Sequence, residues 1–249
     1  MVRFAELNKA WEVRAVANLE EAAQLLQLED DIVLALPVEA VLAQRLRLPT
    51  TDPTEFVEMV RIQIEKAMPF SPEEMTTDSE LIGQSEEGSV VSVVAVHNGK
   101  LDELAAPLLS RGLIPSQVTV YAGHRAATHS PEGTSLFIYP ENESIVCAIA
   151  EEGKLSFTHN LDGADVLQLQ RDLPQLTLSA ELQGINTSAP RVLLAENLYQ
   201  FRDTVEGIFA TNAELIAVEV PPAHAQLKRS AEPIPTRLAD VTAPPRPAS

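Results

Sequence analysis

The hydrophobic pattern changes period several times along the chain, and each change marks an element. Residues 2–7 and 11–17 alternate apolar with polar positions around the polar pair Asn8-Lys9, which predicts a β-hairpin. Asn18 then precedes Leu19, Ala22, Ala23 and Leu26 at helical spacing, with Glu21 in the capping-box position, so a helix is expected from there. Residues 32–36 are a short, almost wholly apolar run closed by Pro37, as in a buried strand. The opening order is β-β-α-β.

Residues 38–120 read as a different, α+β unit. A strand over 41–48 puts Leu46 and Leu48 on one face and Arg45 and Arg47 on the other. Asp52-Pro53-Thr54-Glu55 combines an acidic N-cap, a proline at the first helical position and a glutamate at the third, and so starts a helix. Its stripe is Phe56, Met59, Val60, Gln63, Ile64 and Ala67, and Pro69 ends it. From 70 to 99 there are six acidic residues and no lysine or arginine, which reads as a solvated face or a dock for a basic surface. Residues 89–96 are a central strand by composition. A helix is expected over 98–110, bent at Pro107 and stopped at Gly112, and a strand over 118–121.

The second half restates the first. Residues 134–139, 144–150 and 154–159 read as three strands, with turns at Asn142 and Glu152-Gly153. A helical region follows over 162–184, interrupted near Pro174, then a strand over 191–195, a helix over 196–208 and a strand over 214–220. This β-β-β-α-β-α-β order contains the opening β-β-α-β order, a duplication of fold without a sequence repeat. The expected division is a first lobe at 1–37, the inserted unit with its return to the first lobe at 38–120, a second lobe at 121–220 and a flexible tail at 221–249. That tail holds seven of the eighteen prolines.

Composition narrows the function classes. At 249 residues and 45% hydrophobic, the chain can bury a core, yet no apolar run is long enough to span a bilayer. The opening residues lack a basic-then-apolar leader, which predicts no export. One cysteine, Cys147, excludes an internal disulfide and a multi-cysteine zinc site. A net charge of −18 repels nucleic acid. The tail, with four basic and two acidic residues, carries +2 and leaves −20 on the rest. Ten glycines are few for a chain that must cradle phosphate.

No residue set assembles an active site. The histidines at 97, 124, 129, 159 and 224 show no metal-binding spacing, and His124 and His129 fall in a segment read as a solvated loop. Cys147 lies in a strand run and reads as a buried, inert thiol. Asp162 and Asp165 are better placed to cap a helix than to work as an acid–base pair. Nucleotide and nucleophile-elbow motifs are absent, so no catalytic residue, cofactor or metal is expected. Arg45 and Arg47 have two readings: a solvated strand face paired to local carboxylates, or a bidentate grip on a partner's carboxylates. The Phe56–Met59–Val60 stripe likewise reads as ordinary core or as the lining of a groove.

Residues 32–121 carry a resemblance. ALPVEAVLAQRLRLP (35–49), TEFVEMVRIQIEKAMPFSPEEM (54–75), SVVSVVAV (89–96) and LLSRGLIPSQV (108–118) occur in the order seen in two families. These are the type IV pilus assembly protein PilM and the cytoplasmic part of the type II secretion protein GspL. EEGKLSFTHNLDG (151–163) resembles their hairpin, and the similarity covers about 190 residues in all. The resemblance implies an α/β, actin-like (ribonuclease H-like) two-lobed fold with mixed sheets and an inserted α+β subdomain.

The departures concern nucleotide. Relatives that bind ATP have an Asp-x-Gly loop after the first strand of each half and a paired glycine near the adenine site. Here 2–17 correspond to the second and third strands of the first half, without the leading strand and its loop. In the second half the turn reads Tyr139-Pro140-Glu141-Asn142-Glu143, and Ala195-Glu196-Asn197 stands where the paired glycine would be. The expectation is no ATP binding, nearer to the GspL-like condition.

By this resemblance the chain is a non-enzymatic adaptor of an inner-membrane pilus or secretion platform. Its expected partners are an extended cytoplasmic peptide of a small bitopic membrane protein and the assembly ATPase, with a homodimer allowed and no nucleic acid. Arg45, Arg47, Phe56, Met59 and Val60 are the implied partner-binding residues. The expected location is cytoplasmic, at the inner membrane. The alternatives are an active actin-like ATPase or filament former of the cell-division kind, and a sugar-kinase-like enzyme. In GspL-like proteins a linker like the tail runs into a membrane span, so the chain is either a soluble version or a piece of a longer protein.

Overall fold

The computed structural model describes residues 2–5, 10–13, 16, 18–28, 30–67, 69–141, 144–161, 165–188 and 190–217. Strands β1 (Val2–Ala5) and β2 (Ala10–Val13) pair antiparallel, Val2 opposite Val13. Their turn at Asn8-Lys9 lies outside the described residues. Helix α1 (Leu19–Leu25) begins where the Asn18 side chain accepts a hydrogen bond from the Glu21 amide at 2.9 Å. Strand β3 (Val33–Leu36) and a 3-10 turn (Val38–Ala40) lead into β4 (Leu42–Leu48) and α2 (Pro53–Ala67). There follow β5 (Met75–Ser85), β6 (Gly88–His97), α3 (Asn98–Leu109), β7 (Gln117–Val120) and α4 (Tyr121–His129). The second half comprises β8 (Thr134–Glu141), β9 (Ser144–Glu151), β10 (Lys154–Leu161), α5 (Val166–Leu182), β11 (Arg191–Ala195), a 3-10 segment (Glu196–Phe201), α6 (Arg202–Phe209) and β12 (Ala213–Ile216).

Eight strands form one mixed sheet in the order β12-β11-β8-β9-β10-β4-β6-β5. Strand β11 runs parallel to both β8 and β12, while β8, β9 and β10 are an antiparallel meander. The junction between β10 and β4 is a single register pair, Phe157 opposite Gln44. Strands β3 and β7 pair in parallel as a separate two-stranded sheet. The largest core lies under β8, β9 and β11, a second joins β3 to α1 and α3, and a third lies between α2 and the β4–β6 face.

The two halves share one plan, which explains why the sequence orders match. Antiparallel β1–β2 corresponds to β9–β10, α1 to α5, and the parallel pair β3–β7 to β11–β12. Among the described residues the first half has no counterpart of β8, the strand that β11 uses as its second neighbour. Burial shows the consequence. Residues 192–195 of β11 are all buried, whereas β3 alternates and leaves Val33 41% exposed.

Several expectations need correction. The segment 121–129 is a helix, not a loop. Its core contacts come from Ala122 and Ala126, whose small apolar surface gives little periodic signal. Helix α5 is not interrupted at Pro174. Leu169 and Leu173 before it and Leu176 and Ala180 after it bury one continuous stripe, which outweighs the lost backbone bond. The acidic stretch after 70 contains β5, a long polar edge strand whose Thr-Thr-Asp-Ser-Glu run has no strand signature. Residues 196–208 divide into a 3-10 segment and α6, with a kink at Leu198. Helix α3 ends as expected, with Gly112 at φ +73° and the Leu113 amide bonded back to Leu108 O at 3.0 Å.

Candidate functional site

Strand β4 alternates, so Leu42, Leu46 and Leu48 face α2, and Ala43, Arg45 and Arg47 face the opposite way. On α2, Val60 and Ile64 are buried against that sheet, with Phe56 and Met59 partly buried beside them. Val60 is therefore a core residue, with no side-chain surface for a partner. Val57 and Ile62, outside the stripe, stand exposed.

The two arginines separate in role. Arg45 lies opposite Ser92 of β6, and Ser92 lies opposite Glu80 of β5, so three side chains form a polar row across the sheet. The β9–β10 hairpin tip docks on that row. Arg45 Nε donates to Glu151 at 2.8 Å and its Nη1 donates to Gln183 O at 3.0 Å, where α5 ends. Ser92 Oγ donates to Leu155 O, and Lys154 Nζ pairs with Glu80 at 3.0 Å. The Arg45 and Glu151 side chains are only 9% and 13% exposed. Arg45 thus spends its donors inside the protein, which corrects the reading of it as a free grip. Burial of the same seam pushes the Asp78 carboxyl above the ordinary carboxylate range, with Glu80 adding to the effect. Arg47 is exposed, and among the described residues it makes no ion pair.

The end of β8 contacts the segment after β3. Glu141 Oε2 accepts a hydrogen bond from the Val38 amide at 2.6 Å, bridging the end of β8 to the 3-10 turn after β3. Burial raises its pKa to about 6, with the Val38 bond opposing and the Glu39 charge assisting. Behind it, buried Tyr139 stacks edge-on against Tyr121 at 5.4 Å between centroids. Asn142 and Glu143 lie outside the described residues. At the other expected contact, Ala195 is buried while Glu196 and Asn197 open an exposed 3-10 turn.

Because Glu141 is harder to ionise in the folded chain than in the unfolded one, its contribution runs opposite to that of a salt-bridged carboxylate. The folded state binds the extra proton between the ordinary 4.5 and about 6, so stability falls as pH rises through that window. After allowance for residual exposure the effect is about 1–2 kcal/mol. Glu141→Gln keeps an acceptor for Val38 and removes the titration. It is expected to equal or exceed the natural chain in urea denaturation at pH 7.5 and to lose that advantage at pH 4.5. An unchanged difference across the range would refute the assignment.

The remaining candidates have structural roles. Asp165 caps α5 through the Gln168 amide at 2.8 Å, and Asp162 lies outside the described residues. Cys147 is fully buried, which pushes its thiol up to about 12. His97 stacks on Phe70 at 4.5 Å. Burial, together with Arg125, lowers the pKa of both His124 and His129. His224 lies outside the described residues. Among the described residues no group of three or more potential ligands could hold a metal. A surface cleft between β10 and α5 is lined by His159, Asp172 and Ser179 among others. Asp172 there is held by Arg171 at 2.6 Å, and among the described residues no hydrogen bond joins His159 to either neighbour.

Sequence reasoning missed Glu151 and Arg125, and it named Glu141 in the turn after 134–139 without its partner Val38. The partners of Glu151 and Glu141 lie over a hundred positions away. Arg125 is 2% exposed, donates to Ala217 O at 2.5 Å and lies over the Tyr121 ring. A lone arginine between Ala122 and Ala126 was the available signal.

No protein-family model matches the chain, and no curated protein sequence does. Solved structures do. The PilM–PilN type IV pilus biogenesis complex contains a chain 18% identical, with a TM-score of 0.52 over 85% of this chain and 80% of that one. The cytoplasmic domain of EpsL, an inner-membrane component of the type II secretion system of Vibrio cholerae, is 13% identical. It superposes with a TM-score of 0.53 over 89% of this chain and 78% of that one. The class is therefore an actin-like α/β fold. More particularly, it is that fold in the form found in PilM and EpsL. No helix of the described residues is long and apolar enough to cross a membrane.

Proposed function

We propose that this chain is a non-enzymatic adaptor of an inner-membrane type IV pilus or type II secretion platform, acting at the cytoplasmic face. Glu141 carries the non-enzymatic part, because a carboxylate that satisfies the Val38 amide holds the position where phosphate would need donors. The likeness to PilM in complex with PilN, and to an inner-membrane secretion component, supports the platform part. Phe56 and Met59 at the rim of the third core offer partly covered apolar surface, and exposed Arg47, on the opposite face of β4, offers a separate cation. The apolar rim suits an extended peptide from a membrane partner and Arg47 a carboxylate on a partner. Both lie within the segment 38–120, and the assembly ATPase is the second expected partner.

The test is affinity capture of the 249-residue chain from detergent-solubilised membranes of its own cell, beside the Arg47→Glu variant. Enrichment of a small bitopic protein or an assembly ATPase that Arg47→Glu loses supports the reading. Recovery of neither overturns it. Calorimetry with Mg-ATP is expected to show no binding tighter than about 1 mM. A micromolar dissociation constant would favour the actin-like ATPase or filament-forming alternative.

A further inference from the structure

Strand β5 closes one side of the eight-stranded sheet, so one row of its amides and carbonyls has no neighbouring strand. Outside its ladder with β6, the backbone of 76–84 makes one hydrogen bond among the described residues, from the Ser79 amide to the Asp78 carboxylate at 2.8 Å. Edge strands are ordinarily blunted by lysine, proline, a bulge or shortness. Here 75–85 contain no lysine, arginine or proline, and the irregularity falls late, between Leu81 and Gly83. The regular run 76–81 is about 20 Å long. Asp78 and Glu80 lie on the face that carries Ser92 and Arg45, while Thr77, Ser79 and Leu81 lie on the α2 face. Glu80 holds Lys154 through one oxygen, and Asp78 makes no ion pair among the described residues. Burial beside Glu80 disfavours the Asp78 charge, a cost that an incoming cation would offset.

We propose that the outer edge of β5 at 76–81 takes up an extended basic segment of a partner protein as an added antiparallel strand, with lysine or arginine opposite Asp78 and Glu80 and apolar or β-branched residues between them. The backbone row supplies the pairing, and the side chains select the occupant. Opposite charges facing each other across an antiparallel pair stabilise it, and like charges destabilise it. A second copy of this chain is excluded on that ground, because a two-fold pairing centred anywhere from 78 to 80 sets carboxylate against carboxylate. Exposed Glu73 and Glu74 before the strand and Glu86 and Glu87 after it extend the same sign to both ends. No lysine or arginine lies between 70 and 99 to oppose it. The site is separate from Arg47 and from the Phe56–Met59 rim, so the inference stands without the adaptor reading.

Fluorescence anisotropy of the chain with a labelled synthetic peptide, TVKVRVT, tests it. In antiparallel register its arginine meets Asp78 and its lysine Glu80. The expected dissociation constant is about 10–300 μM at low salt, weakening as salt rises from about 0.05 to about 0.3 M. Asp78→Asn weakens binding at least about 5-fold, and the acidic twin TVEVEVT binds at least about 30-fold more weakly than the basic peptide. Charge alone would give the same trend, so strand pairing has its own test on the peptide side. An added strand pairs through alternate amides only, so N-methylation of one alternate set abolishes binding and N-methylation of the other leaves it. Saturating peptide also slows amide exchange within 76–81. No binding up to about 1 mM overturns the proposal. So does equal binding of the acidic twin, indifference to Asp78→Asn, full binding by both N-methylated forms, or unchanged exchange within 76–81. The probe is a defined peptide, so its failure leaves the adaptor reading standing.

Discussion

Replacing Arg45 with methionine is expected to lower the unfolding free energy by about 3 kcal/mol, the loss that follows when one member of a nearly buried ion pair is left alone. The substitution strands the Glu151 carboxylate at a site where its side chain is 13% exposed, and it also removes the donor to Gln183 O. Arg45→Lys should cost about 1–2 kcal/mol, because one ammonium cannot serve both acceptors in the geometry of a guanidinium. The double variant Arg45→Met with Glu151→Leu is expected to recover to within about 1 kcal/mol of the natural chain, since an apolar pair bears no desolvation penalty. Urea denaturation of the four proteins measures this cycle. A loss below about 1 kcal/mol for Arg45→Met would show that the seam between the β9–β10 hairpin and the β4–β6–β5 sheet does not depend on the pair.

Gly88→Ala is expected to cost about 3 kcal/mol or more, from backbone strain and overlap together. Gly88 opens β6 after the Glu86-Glu87 turn with φ +131°, a conformation that side-chain-bearing residues rarely adopt. A Cβ there would lie 2.1 Å from Leu48 O, with only backbone to yield. The β5–β6 hairpin would be pushed off the end of β4, where Leu48 pairs with Ser89. Gly83→Ala is the control. Gly83 adjoins the β5 irregularity with open space around its Cα, and its substitution should change stability by less than about 1 kcal/mol. Equal thermal midpoints for the two variants would contradict this account of Gly88.

Glu141 and Arg45 belong to the same physical pattern. Each is a charged side chain that reaches a segment distant in sequence, Glu141 to Val38 and Arg45 to Glu151 and Gln183. Together they tie the region 38–97 to the elements β8–α5, where strands β4 and β10 themselves share the single register pair Phe157–Gln44. Side-chain bonds supply order where backbone pairing is sparse. A molecule held in this way presents its surfaces in fixed relation.

The amino-acid sequence by itself determined what depends on neighbours in the chain. The Asn18 cap, the Asp52-Pro53 helix start, the Gly112 stop, the buried strand at 33–36 and the three-strand meander of the second half were all legible from periodicity and capping chemistry, which act over a few residues. The repeated β-β-α-β order was legible for the same reason. Only the tertiary structure decided the rest. Helix α4 and strand β5 carry too little local signal, and their burial comes from partners remote in sequence. Pro174 could remain inside α5 because the sheet beneath buries the helix on both sides of it. Val60 and Arg45 left the set of partner-facing residues because the residues that cover them, on β6 and on the β9–β10 hairpin, lie dozens to over a hundred positions away. Burial and charge pairing are properties of the packed chain, and no window of the sequence contains both partners.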